Sequence, residues 1–282
     1  MKWHDLLAAL RLRRRGPTVA VLRFEGVIAA RPRRNGVSLA SHAGAIERAF
    51  RLPGLVAVAI VINSPGGSPV QSSLLCRRIR QLAEEHGVPV IAFTEDVAAS
   101  GGYWLALAGD EIFGDESSIL GSIGVISAGF GLGGLIARLG VERRLHTAGT
   151  RKSLLDPFLP EDPADVERLG TLQGDIHAAF QEHVRRRRVG KIDPADDSLF
   201  SGEVLIGRTA LARGLIDGIG DLRGVMRARY GEKVRLRPVP TDQRRRWSLL
   251  GRLPIGAAEP GAWFDDLVDW AEARLIWARF GL

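Results

Sequence analysis

Cysteine is almost absent: Cys76 stands alone among 282 residues, so no disulfide framework can hold this chain together. Lysine is nearly as scarce. Of 39 basic residues only Lys2, Lys152, Lys191 and Lys233 are lysine, and the rest are arginine. No signal-peptide pattern opens the chain, because Trp3, Leu6, Leu7 and Leu10 run directly into arginines. The longest uncharged apolar run, residues 119–137, contains six glycines and two serines. It reads as buried loop, strand and short helix rather than a membrane span. The expected location is therefore cytoplasmic or peripheral to a membrane. The G-x-S-x-G elbow of the triad hydrolases is missing. No cluster of metal-ligating residues is apparent, so neither metal nor nucleotide cofactor is expected. Gly129, Gly131 and Gly134 match G-x-G-x-x-G, but GTRKS stands where the acidic ribose ligand would be.

What is present is ordinary globular material, 45% hydrophobic and 25% charged, with a net charge of +7. The basic runs, such as Arg185 to Arg188, suit a soluble surface or anionic lipid. Without a recognition module they do not indicate nucleic acid. The middle of the chain alternates strand and helix patterns. TVAVLRFEGVIAA (18–30), VAVAIVIN (56–63) and VPVIAF (88–93) read as strands, the latter two apolar enough to be buried on both faces. Further strands are expected at 111–115 and 141–147. Helices are expected at 39–51, 69–86, 100–109, 162–187, 207–214 and 221–230. The pattern defines an α/β domain with a largely parallel sheet and flanking helices over residues 17–240. A basic amphipathic segment (1–16) precedes it. A Trp-rich amphipathic segment (241–282) follows, with Trp263, Trp270 and Trp277 spaced by seven. Such ends pack on a protein neighbour or lie on a membrane surface.

Three segments carry chemistry. Ser100, in DVAASGGYW, follows a buried strand and opens a helix. A nucleophile there projects from the carboxyl edge of the sheet, and the helix N-terminus offers N–H groups to an oxyanion. The same position suits a simple N-cap serine. Gly101 and Gly102 would let a substrate backbone approach. INSPGG (62–67) ends the preceding strand and either turns the chain or presents a second N–H donor at Gly67. Lys152 is the only lysine between residues 3 and 190. Arginine cannot serve as a base, so an isolated lysine is the candidate amine. Leu154, Leu155 and Phe158 would dry it, and Asp156 should point elsewhere.

Together NSPGG (63–67), ASGGYW (99–104), GSIGV (121–125), GTRKSLLDPF (149–158) and IGRTALARGLIDGIG (206–220) resemble peptidase family S49, the signal peptide peptidase A or protease IV proteins. The resemblance implies a ClpP/crotonase-like fold. It also implies a Ser–Lys dyad of Ser100 and Lys152, oxyanion donors at Gly67 and Gly101, and Ser122 orienting the lysine. The substrates would be hydrophobic peptides such as cleaved signal peptides, and the assembly a homo-oligomer sharing catalytic groups between subunits. Arg151 and Val61 depart from the family's usual residues beside the lysine and before INSPGG. The alternatives are a non-catalytic membrane-associated scaffold of the same fold, a crotonase-like acyl-CoA enzyme, and a histidine-based hydrolase using His146.

Overall fold

The computed structural model describes residues 16–30, 36–149, 151–241 and 274–281. The segments 1–16 and 241–282 lie almost wholly outside that range, and with them Trp3, Trp247, Trp263 and Trp270.

From Thr18 the described residues alternate strand and helix: β1 (Thr18–Glu25), α1 (Leu39–Phe50), β2 (Leu55–Ser64), α2 (Pro69–His86), β3 (Val90–Ala99) and the short α3 (Gly101–Ala106). Then come β4 (Glu111–Gly114), β5 (Ile119–Gly121), α4 (Gly133–Arg138) and the long α5 (Pro163–Arg187). The described core closes with β6 (Val204–Ile206), α6 (Gly207–Ala212), β7 (Gly218–Ile219), α7 (Leu222–Tyr230) and β8 (Arg235–Pro238). The sheet runs β6-β5-β3-β2-β1-β8. Its strand pairs are parallel except β5 with β6. β3 forks: its first half pairs with β4 and its end with β5. This is the α/β class expected from the sequence.

The apolar run in β2 explains the layering. Val58, Ile60 and Ile62 face one side of the sheet, and Ala57, Ala59 and Val61 the other. Period-two alternation with both sides apolar is what a central strand requires. The first side meets α1, α2 and α3; the second is covered by Met226 and its neighbours on α7. Helix boundaries follow capping chemistry. Asp162 caps α5 by accepting from Ala164 N, with Pro163 in the first turn, as the sequence indicates.

Two expectations fail. Residues 141–147 form exposed coil, not a strand. The apolar run 119–137 is not buried as a whole: Ile126, Phe130 and Leu135 are 63%, 77% and 55% exposed. After Gly121 and Ser122, both at positive φ, the chain leaves the sheet, and residues 125–149 and 151–160 are largely uncovered.

Behind α3 lies a buried histidine. His183 of α5 stacks on Trp104 at 5.3 Å, and its Nε2 is 3.5 Å from Cys76 Sγ of α2. Burial, then the charges of Arg186 and Arg187, push its pKa down to about 4. The unfolded chain takes up this proton below ~6.5, whereas the folded chain resists until about 4, so stability falls with pH across that window. His183 should account for ~2 kcal/mol of stability lost between about pH 7 and about pH 5. Denaturant unfolding at both pH values should show a flatter dependence in His183→Phe. Equal slopes in the two proteins would refute this.

Candidate active site

Three strand ends converge at the carboxyl edge of the sheet. β2 ends in Ser64 and continues through Pro65, Gly66 and Gly67 to Ser68, which caps α2. β3 ends in Ala99, and Ser100 turns the chain into α3. β5 ends in Gly121, whose carbonyl accepts the Ser100 N–H at 2.8 Å. Open α/β sheets place ligands at such edges.

Ser100 occupies the N-cap position of α3, yet its side chain makes no capping hydrogen bond. Its backbone is at φ 51°, ψ −120°, a conformation costing a non-glycine residue ~1–3 kcal/mol. An ordinary N-cap sits in the extended region and uses its oxygen on the helix. Ser100 does neither. Its strained backbone instead turns its Cβ away from the helix it opens, toward Gly66: a Cβ built on Gly66 would lie 2.9 Å from that of Ser100.

Gly67 lies directly alongside. Its φ is +136°, and an added Cβ would stand 2.1 Å from the Ile28 carbonyl oxygen. Ile28 N–H donates to Gly66 O at 2.8 Å, and Ser68 N–H to Ile28 O at 2.7 Å, so the glycine turn is stitched to the segment after β1. The Gly67 and Gly101 N–H groups donate to no backbone carbonyl in the described structure. They are neighbours: a Cβ on Gly101 would lie 3.3 Å from Gly67 N. Two unspent donors beside an unbonded hydroxyl is the arrangement an acyl-transfer site requires.

Gly102 has a different purpose from the one expected. Its missing Cβ leaves room for the Ser64 carbonyl, which would otherwise be 2.5 Å away. It lets α3 sit on the end of β2 rather than admitting a substrate.

Ser122 follows Gly121 at φ 50°, its N–H donating to Glu203 O at 2.7 Å. It is thus one residue from the carbonyl that holds Ser100. Lys152 is on a separate turn segment, exposed and without a hydrogen bond or ion pair among the described residues. Asp156 points elsewhere, as expected: it pairs with Arg143 at 2.9 Å and accepts from Phe158 N. The phenyl ring of Phe158 lies 5.6 Å under the Arg143 guanidinium, and Leu154 is itself exposed. The apolar neighbours expected to dry Lys152 therefore do not enclose it within one chain. No described histidine hydrogen-bonds Ser100, and His146 is exposed in coil.

These features define an α/β protein with a serine at a strained strand–helix junction beside paired backbone donors. The model of peptidase family S49 matches residues 83–234, more than half of the sequence, and the chain belongs to that family. A protein of Brucella abortus (strain 2308) named Na(+)/H(+) antiporter NhaA is 50% identical over 276 residues, covering 94% of this chain and 37% of that protein. The chloroplastic serine protease SPPA of Arabidopsis thaliana is 36% identical over 168 residues, 59% of this chain and 24% of that one. Protease 4 of Haemophilus influenzae is 29% identical over 212 residues, covering 72% and 32%. The chain thus spans between a quarter and two fifths of the length of these relatives. No described helix is long and apolar enough to cross a membrane. Among solved structures, a mutant of the membrane-bound stomatin-specific protease 1510-N aligns with TM-score 0.49 and 15% identity over 80% of this chain and 98% of that one.

Proposed function

We propose that this S49 peptidase is a serine endopeptidase in which Ser100 is the nucleophile and Lys152 the general base. The observation that carries the reading is the Ser100 hydroxyl, left unbonded on a strained junction beside the free Gly67 and Gly101 N–H groups. Neutral Lys152 takes the Ser100 proton as Oγ attacks the peptide carbonyl. The developing oxyanion accepts from Gly67 N–H and Gly101 N–H. Lys152 then returns the proton to the leaving amine, and water hydrolyses the acyl-enzyme by the same route. Ser122 orients the lysine from the end of β5.

Hydrophobic peptides such as cleaved signal peptides are the substrate class. The exposed apolar side chains Ile126, Phe130, Leu135 and Leu139 precede the lysine segment and support a homo-oligomer. A neighbouring subunit on this face would cover Lys152 or bring it to a Ser100, supplying the dryness that one chain lacks.

A fluorophosphonate, which phosphonylates the oxygen of an activated serine with loss of fluoride, should label the wild-type protein at Ser100, located by peptide mass spectrometry. Ser100→Ala should take no label. Label at another serine, or none, would overturn the assignment and favour the scaffold or acyl-CoA readings.

A further inference from the structure

The nucleophile-bearing α3 has six residues, too few to hold its own axis, so contacts at its ends must set its position. The segment that leaves its C-terminus, from the cap residue Leu107 to Asp110, is tied down at every carbonyl. Leu107 O accepts from Arg187 Nε at 2.8 Å, and Gly109 O from Nη2 of the same guanidinium at 2.8 Å. Ala108 O accepts from Arg80 Nη1 at 3.2 Å, and Asp110 O from Lys191 Nζ at 3.4 Å. Four consecutive carbonyls therefore accept from cationic side chains, drawn from α2, α5 and the turn after α5. The planar guanidinium of Arg187 serves two carbonyls two residues apart, Nε on one and Nη2 on the other. One turn earlier, Trp104 stacks on Phe180 of α5 at 4.7 Å. Helix α5 thus grips α3 at two levels. Arg187 is held there against the cost of burial and of the nearby Arg80 charge, both of which lower its pKa.

We propose that Arg187 is a positioning residue for the reaction at Ser100: by fixing the carbonyl end of α3 it sets where the Gly101 N–H stands beside the Gly67 N–H. The inference rests on the reading of Ser100 and the two glycines given above. An oxyanion site tolerates displacement of only ~0.5 Å, and a helix this short transmits a shift at one end to the other. Arg187 touches neither substrate nor reacting atoms, so its loss should appear in turnover rather than in binding.

The test is kcat and KM per active site, with sites counted by fluorophosphonate titration and Tm measured alongside, for wild type, Arg187→Gln and Arg187→Lys. In Arg187→Gln, kcat per titrated site should fall about tenfold with KM within about twofold. Arg187→Lys keeps the charge but replaces the planar fork with a compact ammonium, and should lose about threefold. A helix cap with no part in positioning would lower Tm and the titratable fraction while each titrated site turned over at the wild-type rate, and that result would overturn the inference. If Arg187→Gln does not fold, the same criterion applied to Arg187→Lys decides. A wild-type protein that hydrolyses peptide but carries no label at Ser100 would remove the underlying reading, and the inference with it.

Discussion

Lys152→Arg should lose at least about a thousandfold in kcat/KM on a fluorogenic hydrophobic peptide, close to the loss in Ser100→Ala. The substitution is a demanding one because it retains the positive charge. It removes the capacity to become neutral, since a guanidinium does not deprotonate in proteins. A protonated lysine cannot accept the serine proton either, and an amine in water titrates near ~10.4. On the proposed mechanism Lys152 must therefore be dried when it accepts the proton. Within one chain Lys152 is exposed, and its nearest apolar neighbours face away or into solvent. The drying then has to come from a second copy or from bound substrate. Sedimentation alongside the assay separates these sources: with a second copy, activity per chain falls as dilution dissociates the assembly. A Lys152→Arg protein within tenfold of wild type would remove the lysine from the mechanism.

The contrast between Ser100 and Lys152 also shows what a sequence can disclose. Ser100 is positioned by local chemistry: a buried strand, a junction, two glycines and a helix. Those features are contiguous, and the structure places them at the sheet edge as read. The layers were legible for the same reason, because β2 carries apolar residues on both faces over eight consecutive positions, Leu55–Ile62. The segment from 125 to 160 was not. The apolar run 119–137 reads as buried because burial is the usual fate of Ile, Phe and Leu, and VERRLHT (141–147) reads as a strand. Among the described residues Ile126, Phe130, Leu135 and Leu139 stay exposed, and a residue pattern does not say whether its partner lies in the same molecule. The Arg187 fork was equally hidden. Its acceptors are carbonyls about 80 residues away, and any sequence has those. Gly102 was assigned to substrate access when the Ser64 carbonyl occupies that space, an error of the same kind.

Gly67→Ala should reduce kcat by about a hundredfold or more, the effect expected for loss of one oxyanion donor. Two independent costs fall on this position. The backbone is at φ +136°, a region closed to residues with a Cβ, and the added carbon would lie 2.1 Å from Ile28 O. Backbone cannot yield as a flexible side chain does, so the turn must rotate or the Ile28 bridge must part. Either movement carries the Gly67 N–H away from Gly101. Stability should fall as well, and activity has to be measured below the transition of the variant. Gly87→Ala provides the control: it too has positive φ, +61°, but nothing lies within 4 Å of the new carbon. It should cost ~1–2 kcal/mol of stability and leave kcat unchanged. Gly101→Ala falls between them, because its carbon would meet the Ser72 hydroxyl at 2.5 Å rather than a fixed carbonyl. The order Gly67, Gly101, Gly87 in lost turnover is what a backbone oxyanion site predicts. A folded Gly67→Ala protein with kcat within tenfold of wild type would show that the oxyanion is held by other donors.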